Sequence, residues 1–291
     1  MFPPTTLARP DVIIPESQID AWIHDDVPYF DLTTHTLGIG ELPATIRYAA
    51  RNVTVACCTE EAARICVRLG LSVGDLVPSG TLVQPGTTLL SASGPAGRVH
   101  AAWRVSLILL EYASGIATRT FRIVEAARKM NPAVEIATTR KSVPGAKAIS
   151  IKAVLAGGGS PHRLGLSETL LYFDKHMEFC GGLQGFIERL PDIRRQVPEK
   201  KIVAEAQTVD EALLLAAAGV DAVQIDKATP AEIADAVRRI RAIAPHITLL
   251  ATGGVNATNA AEYAATGVDV LLTSSVYAGP PADIAADLAP L

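Results

Sequence analysis

The chain has 291 residues, about half of them apolar and a fifth charged, and a formal net charge of −4 at pH 7. This composition argues against disorder, and the slightly negative charge argues against binding to nucleic acid or to an anionic membrane. No apolar run reaches the roughly 18 residues that cross a bilayer, the N-terminus does not follow the order of a signal peptide, and the cysteines have neither zinc-site nor disulfide-framework spacing, so we expect a cytoplasmic protein.

The first part of the chain mixes helical and strand patterns. ESQIDAWIHDDV has helical spacing, TIRYAARNVTVACCT alternates as strands do, and TEEAARICVRLG predicts a helix capped by Thr59. Short strands separated by Pro-Gly and Ser-Gly turns follow in residues 72–94, and the helix through AAWRVSLILLEYA is predicted to break near Ser114–Gly115. We therefore predict an N-terminal α/β sandwich domain over residues 1–113.

From about residue 134, short apolar runs alternate with helical stretches. The strand candidates are VEIATT, TLLYF, IVAEA, AVQI, TLLAT and VLLTS. This alternation predicts βαβ units and a parallel sheet. We predict an incomplete TIM-like α/β barrel over residues 114–275, although an open sheet would give the same local pattern. The tail, about residues 276–291, is expected to return to the first domain.

Polar residues stand where the predicted strands end. They are Arg140 and Lys141, then Asp174, Glu205, Asp226, Thr252 and Thr273. The carboxyl ends of barrel strands meet on one face, where active sites are built. Strands commonly end in polar residues in any case, but Glu205 and Asp226 lie within or at the tip of apolar runs. A carboxylate there is costly unless it is paired with a cation or a metal, so the pattern predicts an enzyme.

Glu205 and Asp226 are candidate Mg²⁺ ligands. Magnesium usually needs one or two protein carboxylates, with phosphate oxygens and water completing its shell. The alternative is an ion pair with Lys227 or another lysine of the barrel.

Two late strand–loop turns, ATGGVN and TSSVY, are candidate phosphate sites. Their small residues let backbone N–H groups approach an anion. The candidates are Thr252, Gly253, Gly254, Thr273, Ser274 and Ser275. The alternative is ordinary helix capping by Thr252 and Asn256.

The basic candidates are Arg140, Lys141, His162, Arg163 and Arg104. Arginine matches a carboxylate or phosphate with two parallel hydrogen bonds, but an Arg-Lys pair is often a solvated surface feature and a lone histidine is often structural. Arg104, in an apolar helix, could pair with Glu111 or reach across a subunit interface. In GGGSPHRLGL, the glycines are interpreted as a steric turn that ends a helix, and Pro161 as stiffening the approach of His162 and Arg163.

Several stretches match a known family. They are DDVPYFDLTT, WRVSLILLEYASGIATRT, TTRKSVPGAKAISIKAVLAGGGSPHRLGLSET, AEAQTVDEA, QIDKAT, ATGGVN and GVDVLLTSS. Through them the chain resembles the quinolinate phosphoribosyltransferase superfamily over nearly its whole length, and in particular its ModD group of molybdenum-transport-associated pyrophosphorylases. The resemblance implies the type II phosphoribosyltransferase fold, and a homodimer, or a higher oligomer, with the active site at the subunit interface.

The resemblance also implies a reaction and residue roles. A heterocyclic nitrogen would attack C1 of phosphoribosyl pyrophosphate (PRPP), and Mg²⁺-bound pyrophosphate would leave. Carried over by matching position, Lys141, Glu205 and Asp226 would engage PRPP and its metal. Arg140, His162 and Arg163 would bind the acceptor's carboxylates, and Arg104 would come from the partner subunit. The two late turns would hold the 5′-phosphate.

The chain departs from the quinolinate enzymes at specific positions. Phe173 stands where they have a lysine that meets a substrate carboxylate, and Lys175 and Lys227 stand where they have asparagine. Val203 replaces a glutamate. Phe173 offers an apolar wall or a stacking face instead of a cation, which suggests a less acidic acceptor than quinolinate. Two alternatives remain: a true carboxylating quinolinate enzyme of NAD biosynthesis, and a non-catalytic binder of molybdate or a phosphorylated ligand.

Overall fold

The computed structural model describes residues 12–291, which divide into two compact units. The first unit contains residues 12–121 together with Val143–Gly158 and Tyr277–Leu291, and the second contains Arg122–Ser142 and Gly159–Val276. Because both units are assembled from separate segments, the boundary at 113/114 stays a prediction. Among the described helices, none combines the length and apolarity needed to cross a bilayer.

The first unit is built on a four-stranded antiparallel sheet with helices packed on it. In spatial order the strands are β13 (Ile284–Pro290), β1 (Pro43–Ala50), β5 (Thr88–Pro95) and β3 (Ser72–Leu76), and β2 (Thr54–Val55) pairs separately with β4 (Leu82–Val83). The helices are α1 (Glu16–Asp26), α2 (Leu32–Leu37), α3 (Thr59–Arg68), the start of α4 (Ala96–Met130) and α5 (Lys147–Ala156). Apolar side chains alternate inward along β1, where Ile46 and Tyr48 are fully buried.

Two local predictions for this unit are wrong. Helix α4 does not break near Ser114–Gly115, because small residues allow close packing there: Ser114 Oγ accepts a hydrogen bond from Cys57 N at 3.0 Å, and a Cβ on Gly115 would lie 3.0 Å from Ala282 N. Thr59 is not the cap of α3. The preceding residue, Cys58, has a left-handed backbone with φ 59° and donates its N–H to Ser79 Oγ.

The second unit is a seven-stranded parallel sheet. In spatial order its strands are β7 (Ser160–Pro161), β6 (Glu135–Thr138), β12 (Val270–Thr273), β11 (Thr248–Thr252), β10 (Ala222–Asp226), β9 (Ile202–Ala206) and β8 (Leu170–Tyr172). The helices are the end of α4, then α6 (Asp174–Met177), α7 (Gly182–Gln196), α8 (Val209–Ala218), α9 (Pro230–Ile243) and α10 (Ala260–Ala264), with 3₁₀ turns at Glu178–Cys180 and Ser275–Tyr277.

The parallel sheet is the predicted incomplete barrel. Its sheet order makes β7 and β8 the two edge strands, and the interior is filled by apolar side chains contributed by β6, β9, β10, β11 and β12. The predicted fold class, an α/β sandwich with an incomplete α/β barrel, is therefore confirmed. The short strand β7 was not among the predicted strands.

Candidate active site

In the barrel unit, the predicted polar residues lie at the carboxyl ends of the parallel strands, on one side of the sheet. Asp226 and Thr252 are register partners at the ends of β10 and β11, and Thr273 is the partner of Thr138 at the ends of β12 and β6. Glu205 lies next to Gln224 across β9 and β10. Since all these strands are parallel, their carboxyl ends converge as the sequence predicted.

The two carboxylates interact with each other. Glu205 is half-buried and accepts hydrogen bonds from the side-chain amides of Gln224 and Gln207. Burial raises the pKa of the Glu205 carboxyl, and the negative charge of Asp226 raises it further. The Oδ2 of Asp226 lies 3.6 Å from Lys227 Nζ, so the ion pair considered as the alternative is formed, but by a lysine that is 81% exposed.

The carboxylates of Glu205 and Asp226 are suitable ligands for Mg²⁺, although they do not by themselves form a complete metal site. Within residues 12–291 no group of three or more His, Cys, Asp or Glu side chains could hold a metal ion. Two carboxylates are nevertheless sufficient for magnesium when phosphate oxygens and water supply the remaining ligands. A divalent cation would also offset the repulsion between Glu205 and Asp226.

Three of the basic candidates, Arg140, His162 and Arg163, lie close together beyond the ends of β6 and β7. The His162 N–H donates to Thr138 O at 3.0 Å, and Arg163 Nη1 lies 3.5 Å from Thr169 O. Burial lowers the pKa of Arg163, and the positive charge of Arg140 lowers it further. The same two effects, burial and then the charge of Arg163, lower the pKa of His162.

Among the described residues, Arg140, Lys141 and Arg163 form no ion pair with a carboxylate. Arg140 and Lys141 are also exposed. A cluster of like charges without a partner is suited to an anionic ligand.

The glycine run that precedes the cluster is a steric feature. Gly157 follows α5, and a Cβ there would lie 2.5 Å from both Ala117 O and Thr120 Cβ on α4. Gly158 has φ 87°, a conformation that glycine adopts without strain. The glycine run is thus the compact turn that the sequence predicted at the end of α5.

The turn after β11 leaves backbone amides available. Gly253 and Gly254 have φ 88° and 86°, and within the described chain neither N–H donates a hydrogen bond. A Cβ on Gly253 would lie 2.6 Å from Lys227 N and 2.9 Å from Asp226 Oδ1. Asn256 and Asn259 hold the loop by donating to Gly254 O. Such a turn can approach a phosphate closely.

In the turn after β12, hydroxyl groups form hydrogen bonds within the protein and are therefore less available to a ligand. Thr273 is buried, and its Oγ1 donates to Val255 O at 2.6 Å while accepting from Ser275 N at 3.0 Å. Thr273 therefore braces the turn. The capping alternative for Thr252 does not hold: it is the buried last residue of β11, and its carbonyl accepts from Lys227 N.

Phe173 and Arg104 lie in different units. Phe173 directly follows β8; its ring stacks on His176 with centroids 5.6 Å apart, and its N–H donates to His176 Nδ1. Arg104 is exposed on α4 of the first unit, with its guanidinium carbon 4.5 Å from the centre of the Trp103 ring. It forms no ion pair with Glu111, or with any other acid in the described part of the chain.

Sequence reasoning missed the glutamines that orient Glu205. Gln224 is 3% exposed, and its Nε2 donates to Glu205 Oε2, while its Oε1 has no hydrogen-bond partner within residues 12–291. The available signal was a single amide inside the apolar run AVQI, where a polar side chain requires a hydrogen-bond partner.

Comparison with known proteins gives a consistent result. Models of the quinolinate phosphoribosyl transferase N-terminal and C-terminal domains match residues 31–114 and 116–287. A Rhodobacter capsulatus protein named "Putative pyrophosphorylase ModD" is 40% identical to this chain, and the alignment covers 86% of this chain and 95% of the Rhodobacter protein. A Pasteurella multocida protein of the same name is 36% identical, with 92% and 95% covered. The solved structure of the nicotinate-nucleotide pyrophosphorylase from Francisella tularensis shares the fold, with a TM-score of 0.86 and 21% identity over 96% of this chain and 98% of that one.

Proposed function

The chain belongs to the quinolinate phosphoribosyl transferase family and is thus a phosphoribosyltransferase, and from this premise we propose that it transfers the phosphoribosyl group of PRPP to a nitrogen heterocycle that carries a carboxylate. The products are a ribonucleotide and pyrophosphate. The acceptor is less acidic than quinolinate, and Mg²⁺ is the metal that accompanies PRPP.

The observation that supports this proposal is the distribution of charge along one edge of the barrel. Arg140 and Arg163 are close enough to affect each other and have no carboxylate partner among the described residues. Glu205 and Asp226 stand at the ends of β9 and β10. Cations suit the acceptor's carboxylate and the phosphates of PRPP, whereas the two carboxylates suit a metal ion and a developing positive charge.

The chemical step needs no covalent nucleophile from the protein. The lone pair of the acceptor nitrogen forms a bond to C1 of the ribose, and the bond from C1 to the pyrophosphate oxygen breaks with its electron pair leaving on pyrophosphate. Displacement at an anomeric carbon passes through an oxocarbenium-like state, which a nearby carboxylate stabilises. We assign that role to Glu205 and Asp226, and we assign neutralisation of the leaving group to Lys141. When bound, Mg²⁺ would neutralise phosphate charge.

We assign the remaining substrate contacts to residues at the same carboxyl ends of the barrel strands. Gly253, Gly254 and Ser274 would hold the 5′-phosphate through turns that place few side-chain atoms in the way. Arg140, His162 and Arg163 would bind the acceptor. Burial, followed by the positive charge of Arg163, lowers the pKa of His162, which favours the neutral imidazole as a hydrogen-bond donor or acceptor. Phe173 supplies a stacking face for an aromatic ring.

We also propose that the active unit is a homodimer. Arg104 is exposed on α4 and forms no close ion pair within the described chain. The apolar side chains of Ile108 and Tyr112 follow at helical spacing with 50% and 59% exposure. Residues four apart lie on one helix face. A second subunit would cover this face, and Arg104 would complete the partner's acceptor site.

The test is pyrophosphate release from PRPP and Mg²⁺ across a panel of heterocyclic mono- and dicarboxylates, with the ribonucleotide product identified by mass. We expect turnover with one monocarboxylate and little with quinolinate. Thermal stabilisation by each ligand is measured in parallel, because a ligand at a hundred times its Kd adds about 2.7 kcal/mol. No release and no stabilisation by PRPP would refute the proposal; efficient carboxylating turnover of quinolinate would replace the assigned acceptor, and stabilisation by molybdate alone would favour a binding protein.

A further inference from the structure

Lys227 has an unusual backbone conformation. Its φ is 55°, and among the described residues only Cys58 shares a positive φ without being glycine. A lysine in the left-handed region is strained, because its Cβ crowds the backbone. Such strain persists where the surrounding structure enforces it, and it is concentrated at functional sites.

The neighbouring strand end holds Lys227 in place. Its N–H donates to Thr252 O at 2.8 Å, which ties the residue after β10 to the end of β11. Gly253 is in close contact with Lys227, because a Cβ added to that glycine would lie 2.6 Å from both Lys227 N and Lys227 Cγ. The backbone and the first part of the side chain are therefore fixed between Asp226 and the Gly253–Gly254 turn.

The ammonium group, by contrast, is held loosely. It lies 3.6 Å from Asp226 Oδ2, and the side chain is 81% exposed. It faces a cavity of about 430 Å³ that is also lined by Gln207, Glu232 and Arg239. Arg239 is already paired with Asp210 at 3.0 Å and Asp235 at 3.3 Å. Arg239 is therefore held by two carboxylates, whereas the Lys227 ammonium is able to move to a ligand in the cavity.

We propose that Lys227 binds the pyrophosphate group of PRPP, and that it leaves Asp226 when this group arrives. The inference rests on the proposed function and adds a residue to it. In the free protein the ammonium offsets the charge of Asp226, and in the complex it contacts a phosphate oxygen and leaves the carboxylate available to the metal ion. A lysine suits this role because its compact charge rotates freely at the end of a flexible stem.

The backbone strain provides a favourable test variant. Asparagine tolerates the left-handed conformation better than lysine does, so Lys227→Asn removes the charge and relieves strain at once. Lys227→Arg keeps the charge. Binding of inorganic pyrophosphate with Mg²⁺ is measured by calorimetry for the full-length protein and both variants, and ribose 5-phosphate is the second ligand. Thermal unfolding of each variant verifies that it is folded.

We expect Lys227→Asn to bind pyrophosphate roughly tenfold more weakly, a loss of about 1.4 kcal/mol, and to bind ribose 5-phosphate with unchanged affinity. Lys227→Arg should recover most of the pyrophosphate affinity. In kinetics, the KM for PRPP should rise while the KM for the acceptor stays constant. Unchanged pyrophosphate binding in Lys227→Asn, or a loss confined to ribose 5-phosphate, would overturn the assignment. A wild-type protein that binds neither PRPP nor pyrophosphate would instead refute the proposed function.

Discussion

Lys152 on α5 and Glu61 on α3 form a buried ion pair in which Lys152 Nζ lies 2.7 Å from Glu61 Oε2 and 2.8 Å from Glu61 Oε1. The two residues are 8% and 3% exposed. Glu60 adds a third acceptor at 3.1 Å. The pair joins two helices that are distant in sequence, and neither charge is left without a partner.

Breaking this pair should destabilise the protein strongly. Lys152→Met removes the nearer of two cations beside the buried Glu61 carboxylate and leaves only Arg64, whose Nη1 lies 3.9 Å from Glu61 Oε1. We therefore expect the free energy of unfolding to fall by about 3 kcal/mol. Denaturation in urea measures the change. The matched control is Arg68→Met, which breaks the exposed pair of Arg68 with Asp20 and should change the free energy of unfolding far less, because solvent screens that pair. An equal effect of both variants would show that burial of the pair is unimportant.

The same pair predicts a dependence of stability on pH. Burial acts to lower the pKa of Lys152, but the hydrogen bond and negative charge of Glu61, followed by the charge of Glu60, outweigh it and raise the pKa above its usual value. The stabilisation is therefore fully present below the pKa of an unfolded lysine, about 10.4, and is lost as pH rises beyond it. Unfolding at pH 7 to 11 should show a decline in wild type above pH 10 that is much smaller in Lys152→Met.

Arg163 should act on the acceptor and not on PRPP. Arg163→Ala removes the guanidinium that lies beside Arg140 and leaves Glu205, Asp226 and the Gly253–Gly254 turn unchanged. We expect the acceptor's KM to rise roughly tenfold to a hundredfold, since a hydrogen bond to a charged group is worth about 1.5–3 kcal/mol. Steady-state kinetics with each substrate varied in turn gives the result. Equal losses for both substrates would contradict the assignment.

The main lines of the barrel were predictable from local pattern, because its strands are short apolar runs that end in polar residues. Strand β7 was not, since Ser160–Pro161 carries no hydrophobic period and is a strand only through pairing with Ala137 and Thr138. The continuity of α4 through Ser114–Gly115 likewise depends on partners distant in sequence, Cys57 and Ala282. Tertiary contacts override local propensity at such positions.

Some features of the candidate site could likewise be predicted from the sequence, and others depend on tertiary contacts. Glu205 and Asp226 could be identified from sequence because a carboxylate in an apolar run is costly without a partner. The bracing role of Thr273 could not, since a threonine at a strand end predicts either a phosphate contact or an internal hydrogen bond, and Val255 O and Ser275 N take its hydroxyl. The backbone conformation of Lys227 was equally hidden, because residue type alone gives no positive φ for lysine.

Phe173 should determine how acidic the acceptor can be. Phe173→Lys places a cation at the end of β8, and we expect it to raise kcat/KM for quinolinate by roughly tenfold, the effect of one charge-assisted contact. Phe173→Leu removes the stacking on His176 without adding charge and serves as the control. Both variants are compared on quinolinate and on the best monocarboxylate. If neither variant changes the ratio of the two kcat/KM values, Phe173 does not face the acceptor.

Arg104 and Glu205 should complement each other across a dimer. At low acceptor concentration, Arg104→Ala and Glu205→Gln are each expected to be nearly inactive, the first because the acceptor site lacks the cation that the partner supplies and the second because the PRPP site lacks a carboxylate. If Arg104 is supplied by the partner, a mixed dimer of the two variants contains one intact site and one doubly altered site. Random exchange makes half of the dimers mixed, so an equal mixture should regain about a quarter of the wild-type activity. The mixture is denatured, refolded and assayed beside each variant alone, with the assembly mass measured by light scattering. If Arg104 acted within its own subunit, no mixed dimer would contain an intact site and the mixture would stay inactive.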